Sequence, residues 1–224
     1  MQELIKRAAG KILIPFTKWY LRKQRSFNYN GIRIVVSPGV FHPGLFSSTL
    51  FLLRFLENQN LKNLSLLELG CGSGLISVRC AQKGAVVTSS DISISALRNA
   101  ERNAVSNDVV ITPVHSDLFE RIALQRFDWI IINPPYYAKD AADESEFAWN
   151  CGKDFEYFRN LFSQLPSYLH DNTFILMVLT KGCDLSTIFS IAASHGFVFT
   201  VIEEKSVPFD QKDFLYRISV SSSE

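Results

Sequence analysis

From residue 64 onward the chain alternates short apolar runs with amphipathic stretches. Residues 66–69 are apolar around a single acid, 75–83 carry a helical period, 86–90 read as a strand and 95–105 as a second helix. Further apolar runs follow at 109–114, 129–132 and 174–179, with a helical stretch over 155–169 before the last of them. Strand and helix in alternation predict a parallel sheet, because each crossover helix buries its apolar stripe on one sheet face or the other. The tail breaks the rhythm: 197–203 and 214–220 read as two strands with no helix between them, which predicts an antiparallel pair. Upstream, residues 26–36 alternate around Asn30-Gly31, a dipeptide that tolerates the positive φ of a two-residue hairpin turn. Pro38, Gly39, Pro43 and Gly44 mark a loop, and Ser47 or Ser48 is placed to cap a helix running to Glu57. Leu4, Ile5, Ala8, Ala9, Ile12 and Leu13 recur at helical spacing and predict an amino-terminal helix. The reading is a doubly wound α/β domain over 37–224, preceded by a helix and β-hairpin extension over 1–36.

Composition changes this picture little. A length of 224 residues suits one main domain, and 47% hydrophobic with 20% charged residues gives a chain able to bury a large core. Cys71, Cys80, Cys151 and Cys183 are scattered without a paired spacing, so neither a metal site nor a redox dithiol is expected. Lys6, Arg7, Gly10 and Lys11 interrupt the first apolar positions, so the start is not a signal peptide or membrane span, and the expectation is a soluble cytoplasmic protein. The net charge of +1 hides an asymmetry. Lys6, Arg7, Lys11, Lys18, Arg22, Lys23 and Arg25 face Glu3 alone, either as an arm for RNA or an acidic surface or as the solvated side of a helix.

The candidate chemistry sits at strand ends. The run 66–69 enters Gly70-Cys71-Gly72-Ser73-Gly74 and then a helix. Glycines there allow a tight turn and close approach of a ligand to unsatisfied helix N-terminal amides; a purely structural turn has the same composition. The spacing Gly-x-Gly-x-Gly departs from the dinucleotide fingerprint. Asp91 ends the next strand, where a carboxylate accepts hydrogen bonds from a ribose diol or else caps the following helix. Asp117, in His115-Ser116-Asp117-Leu118, is placed to meet an adenine amino group or to cap a turn. The strand 129–132 stops at Asn133-Pro134-Pro135-Tyr136. The prolines offer stiff backbone without donors, so the Asn133 side-chain oxygen and the Pro134 carbonyl are set to accept N–H groups from a planar amine or amide, with Tyr136 to stack on it.

Taken together these segments resemble class I, Rossmann-like methyltransferases that carry an Asn/Asp-Pro-Pro-Tyr/Phe motif, above all the HemK-like glutamine methyltransferases and related small domains that modify RNA. The resemblance rests on Glu68-Leu69-Gly70-Cys71-Gly72-Ser73-Gly74, on Asp91-Ile92-Ser93 with Ala96, Ala100 and Asn103, on Asp117-Leu118 and on Asn133-Pro134-Pro135-Tyr136. It implies S-adenosyl-L-methionine as cofactor and a seven-stranded sheet with an antiparallel last strand. It also implies that Glu68, Gly70, Cys71, Gly72 and Gly74 hold the methionine part, Asp91 and Ile92 the ribose, and Asp117 and Leu118 the adenine. Asn133 stands beside cofactor and substrate, with Pro134, Pro135 and Tyr136 completing the reacting site, and no metal is implied. Residues 35–43 resemble the stretch that closes over the cofactor, and Gly152-Lys153-Asp154 matches the glycine-rich turn before the next helix only in part.

Release-factor enzymes of this type carry a helical recognition domain in front, and here about forty residues stand in its place. The short form resembles stand-alone relatives that recognise substrates through loops or an activating partner subunit. Asp140, Asp143, Glu144 and Glu146 against Lys139 put negative charge beside the site, favouring a protein glutamine, as in a translation factor, or a small amine, while the basic arm points toward RNA. A non-catalytic scaffold is the remaining alternative, and the oligomeric state is left open.

Overall fold

The computed structural model describes residues 22–141, 146–207 and 211–221. The predicted amino-terminal helix, and Asp143 and Glu144 of the acidic loop, lie outside them. Strands β1 (Arg25–Tyr29) and β2 (Ile32–Val36) form an antiparallel hairpin turned by Asn30 and Gly31 at φ 46° and 87°. Helix α1 (Ser47–Glu57) follows. The alternating part runs β3 (Ser65–Leu69), α2 (Leu75–Gln82), β4 (Val86–Asp91), α3 (Ile94–Ser106), β5 (Thr112–His115) and β6 (Trp129–Ile132). It continues with α4 (Glu156–Gln164), β7 (Phe174–Thr180) and α5 (Leu185–Ser194), and closes with β8 (Phe197–Val207) and β9 (Gln211–Val220).

The seven-stranded sheet has the order β5-β4-β3-β6-β7-β9-β8. Strands β3 to β7 pair in parallel, and β9 inserts antiparallel to both β7 and β8, as the helix-free tail predicted. Side-chain alternation sorts the core into two layers. Leu66, Ile131, Leu176 and Val178 face α1, α2 and the buried Ile32, Ile34 and Val36 of β2. Leu67, Ile130, Ile132 and Met177 face Phe158, Leu161 and Phe162 of α4 and Ile188 of α5. Removing a side chain of that size from water contributes roughly 1.5–3 kcal/mol each, so this two-sided burial sets the register of the sheet.

Several boundaries differ from the sequence reading. Neither Ser47 nor Ser48 caps α1: extended Phe46 precedes it without a side-chain cap. The stretch 155–169 divides into α4 and a 3-10 turn over Leu165–Tyr168, where Pro166 removes a helical donor. The run 109–114 yields only the four-residue β5, and the segment after Asp117 is a turn closed by Glu120 N–H on the Asp117 carbonyl (3.0 Å). What positions the site is the reversal of strand order between β3 and β6, which opens a crevice at their carboxyl ends. Leu69 pairs with Ile132, so Gly70 and Asn133 are the next residues out of the sheet on adjacent strands.

Candidate active site

Three glycines turn the chain from β3 into α2, with φ of 75° at Gly70, 51° at Gly72 and 77° at Gly74. Their surroundings separate them. A Cβ on Gly74 would fall 2.6 Å from the Ala100 Cβ and 2.7 Å from its Cα, so this glycine exists to let α3 approach. A Cβ on Gly70 would meet nothing within 4 Å, and one on Gly72 only the Phe41 Cβ at 3.8 Å. Gly70 and Gly72, with Cys71 and Ser73, line a cavity of about 410 Å³; Gly74 does not. The loop is tied to β4: the Gly70 and Cys71 N–H groups both donate to the Ser90 carbonyl, each at 2.9 Å.

The acidic residues differ in burial. Glu68 is 4% exposed, accepts the Ser77 hydroxyl, and has its carboxyl pushed up to about 8 chiefly by burial. A raised value means that the folded state holds the proton more tightly. That stabilisation is complete below about pH 4.5 and is lost as pH rises through 8. Glu68→Gln cannot ionise, so its melting temperature should gain on the parent by several degrees between pH 6 and 9, at about 2–4 °C per kcal/mol for a chain of this size. Paired thermal melts across that range test it, and a gap that stays constant with pH would show that Glu68 does not titrate there.

Asp91, half-buried at the end of β4, accepts the Gly72 N–H on one carboxylate oxygen and the Ser93 N–H on the other, both at 2.9 Å. Each oxygen keeps a lone pair for a further donor. Helix α3 is capped by Ser93 rather than by Asp91. Burial raises the Asp91 carboxyl against these two bonds. Ile92 lines the cavity beside it, and the His115 ring bonds the Ile92 carbonyl at 2.9 Å. Asp117 is exposed at the rim, and Leu118 after it, also on the cavity wall, holds φ 45°, an uncommon backbone state for leucine.

Asn133 leaves β6 half-buried, and its Nδ2 donates to Thr49 Oγ1 on α1 at 3.4 Å. That contact brings the Asn133 amide against α1, and its Oδ1 is the acceptor the amide offers. Pro134 is buried, and Pro135 and Tyr136 are half-buried on the cavity wall. The Tyr136 and Tyr137 N–H groups both donate to the Trp149 carbonyl, at 3.1 and 2.9 Å, which folds the acidic loop back onto the motif. The Tyr136 ring packs on the core, 4.9 Å from the Tyr137 ring, and burial pushes its hydroxyl well above the ordinary phenol range.

The sequence reading missed an aromatic group on the cavity wall. Phe41 stacks on Phe46 at 4.8 Å, and Trp149 closes on both at 5.2 and 4.6 Å. These rings come from two loops a hundred residues apart, and no periodicity marks them. Tyr157, Glu156 and Asn160 at the start of α4 line the same cavity and were missed too. Among the described residues no cluster of three or more His, Cys, Asp or Glu could hold a metal ion, and no helix is long and apolar enough to cross a membrane.

The model of the methyltransferase small domain family matches residues 31–190. The chain belongs to that family. It is an S-adenosylmethionine-dependent methyltransferase with the Rossmann-like fold its sheet order displays. This methyltransferase is 32% identical, over 81% of its own length and 92% of the relative's, to a Methanocaldococcus jannaschii protein whose name, protein N5-glutamine methyltransferase, is provisional. It is 42% identical to the release factor glutamine methyltransferase of Flavobacterium psychrophilum over 36% of this chain and 30% of that one. The Mtq2–Trm112 complex of E. cuniculi, responsible for methylation of the translation termination factor eRF1, shares the fold with a TM-score of 0.62 at 18% identity, covering 82% and 99% of the two chains. The cofactor fits the methyltransferase site: two glycines without a Cβ face open space, a carboxylate has spare lone pairs, and the cavity is within the 300–1,000 Å³ usual for small ligands.

Proposed function

We propose that this methyltransferase acts on the side-chain amide nitrogen of a protein glutamine, on a translation factor, and that an activating subunit assists it. The observation that carries the reading is the Asn133 amide on the cavity wall at the end of β6, within hydrogen-bond reach of Thr49, with an acceptor oxygen next to the stiff Pro134-Pro135 backbone. A glutamine amide is flat and has two N–H groups. Asn133 Oδ1 takes one and the stiff Pro134 carbonyl the other, which holds the amide plane in place and keeps electron density on its nitrogen. When bound, S-adenosylmethionine supplies an electrophilic methyl group. Methylation would leave the amide with one N–H, and the proton it gives up would be the one held by Asn133 Oδ1 or by the Pro134 carbonyl, passing from there to water.

Cofactor contacts are assigned to Glu68, Gly70, Cys71 and Gly72 for the methionine end, to Asp91 and Ile92 for the ribose, and to Asp117 and Leu118 for the adenine. Gly74 serves the same site from behind by admitting α3. Asp140 and Glu156 line the cavity, with Asp140 accepting the Lys153 N–H at 3.2 Å, and Glu146 beside them accepts the Asn150 amide at 3.2 Å. Fixed negative charge there disfavours a phosphate backbone and suits a neutral or basic polypeptide. The similarity to named glutamine methyltransferases supports the same choice.

Incubation with methyl-labelled S-adenosylmethionine and a cell extract tests the substrate class. Protease-sensitive label that yields N5-methylglutamine on hydrolysis is expected. Nuclease-sensitive label would overturn the reading in favour of RNA, and absence of label in both fractions would point to a scaffold.

A further inference from the structure

Asn99 and Asn103 on one side of α3, and Asn107 capping its end, stand four residues apart and together replace a third strand beside the hairpin. Asn99 accepts the Ser37 N–H at 2.7 Å and donates to the Val35 carbonyl at 2.6 Å. Asn103 accepts the Val35 N–H at 2.9 Å and donates to the same carbonyl at 2.8 Å. Asn107 accepts the Arg33 N–H at 3.2 Å and donates to the Arg33 carbonyl at 2.8 Å. The fit is geometric. Four helical residues advance about 6 Å and two strand residues about 6.6 Å, so an asparagine per turn meets every second peptide of β2 running the other way.

The middle asparagine does more than its neighbours. The second N–H of Asn103 donates to the Ser73 carbonyl at 2.8 Å, inside the glycine loop. Its amide is buried and its three bonds all go to backbone, two to the hairpin and one to the loop. The hairpin continues into Gly39, Val40 and Phe41, which form one cavity wall; the glycine loop forms the facing one, and Phe41 reaches to within 3.8 Å of where a Gly72 Cβ would sit. Asn103 does not line the cavity. We propose that Asn103 is a positioning residue for the cofactor, fixing the separation between the hairpin-borne wall and the glycine loop, whereas the side-chain bonds of Asn99 and Asn107 join the hairpin to the helix and not to the loop. This rests on the cofactor contacts assigned above and is independent of the methyl acceptor.

Asn103→Asp is nearly isosteric and turns a donor into a charged oxygen facing two carbonyls, one on each wall. Asn107→Asp does the same to the Arg33 carbonyl of the hairpin and the Asn103 carbonyl of α3, and to neither cavity wall. Titration with S-adenosylhomocysteine should show affinity weakened about tenfold or more in Asn103→Asp, the range expected from losing one or two such bonds. The KM for S-adenosylmethionine should rise in parallel with kcat little changed, while Asn107→Asp lowers the melting temperature and leaves affinity within about twofold. Equal weakening in both variants, or none in Asn103→Asp, would overturn the proposal. Asp91→Ala in the same titration separates the two levels: wild-type affinity there would sink the cofactor assignment itself, and lost affinity there with Asn103→Asp intact would sink only the positioning role. If Asn103→Asp does not fold, Asn103→Ala removes the bonds without the charge and is read by the same criteria.

Discussion

Asn133→Ala is expected to lower methyl transfer by about a thousandfold, the scale on which losing one preorganised polar contact at a reacting centre acts. Cofactor affinity should stay nearly unchanged. The substitution removes the acceptor oxygen at the end of β6, so the substrate nitrogen is no longer held in one orientation, and positional freedom of that kind is costly in rate. The cofactor contacts assigned to β3, β4 and the loop after β5 are untouched. Turnover at saturating cofactor, set beside calorimetry with S-adenosylhomocysteine, reads the two effects separately. A variant that loses cofactor affinity as much as activity would contradict the role given to Asn133.

Gly74→Ala should be the most damaging single-methyl change in the glycine loop. The residue is left-handed at φ 77°, which costs an alanine about 1–2 kcal/mol. The added carbon would meet the Cα of Ala100 at 2.7 Å, and forcing α3 aside adds about 1–3 kcal/mol. A total of about 2–5 kcal/mol is a large share of the stability of a single domain. Because α3 also carries Asn99 and Asn103 and is capped by Asn107, its displacement should loosen the hairpin as well. Gly70→Ala bears the same backbone cost without the collision. Denaturant unfolding of both variants tests the difference, and equal losses would show that the approach of α3 is not what requires Gly74.

Much of the scaffold was legible because its signals are local. Apolar runs of strand length, the Asn30-Gly31 turn, the glycine loop and the helix-free tail each lie within a few consecutive residues, and each appears in the structure as β3 to β7, the hairpin, the turn into α2 and the β8–β9 pair. The ends of elements were less legible. Whether Ser47 caps α1 or begins it depends on the path by which Phe46 arrives, and Pro166 turns the end of a long helical pattern into a 3-10 turn.

The sequence by itself determined the order of strands and helices, the three strand-end loops to which the cofactor contacts are assigned by proposal, and the accepting character of Asn133-Pro134-Pro135-Tyr136, because these follow from residue type and near-neighbour spacing. Only the tertiary structure decided which glycine serves packing and which two face the cavity, since that depends on how closely Ala100 approaches from 26 residues away. It also decided that the Asn133 amide meets Thr49, that Phe41, Phe46 and Trp149 wall the cavity, and that two asparagines of α3 and the one that caps it complete the hairpin. Contacts of this kind join segments that share no period and no motif, and they exist only once the two faces of the sheet have been covered and the loops brought together at its carboxyl edge.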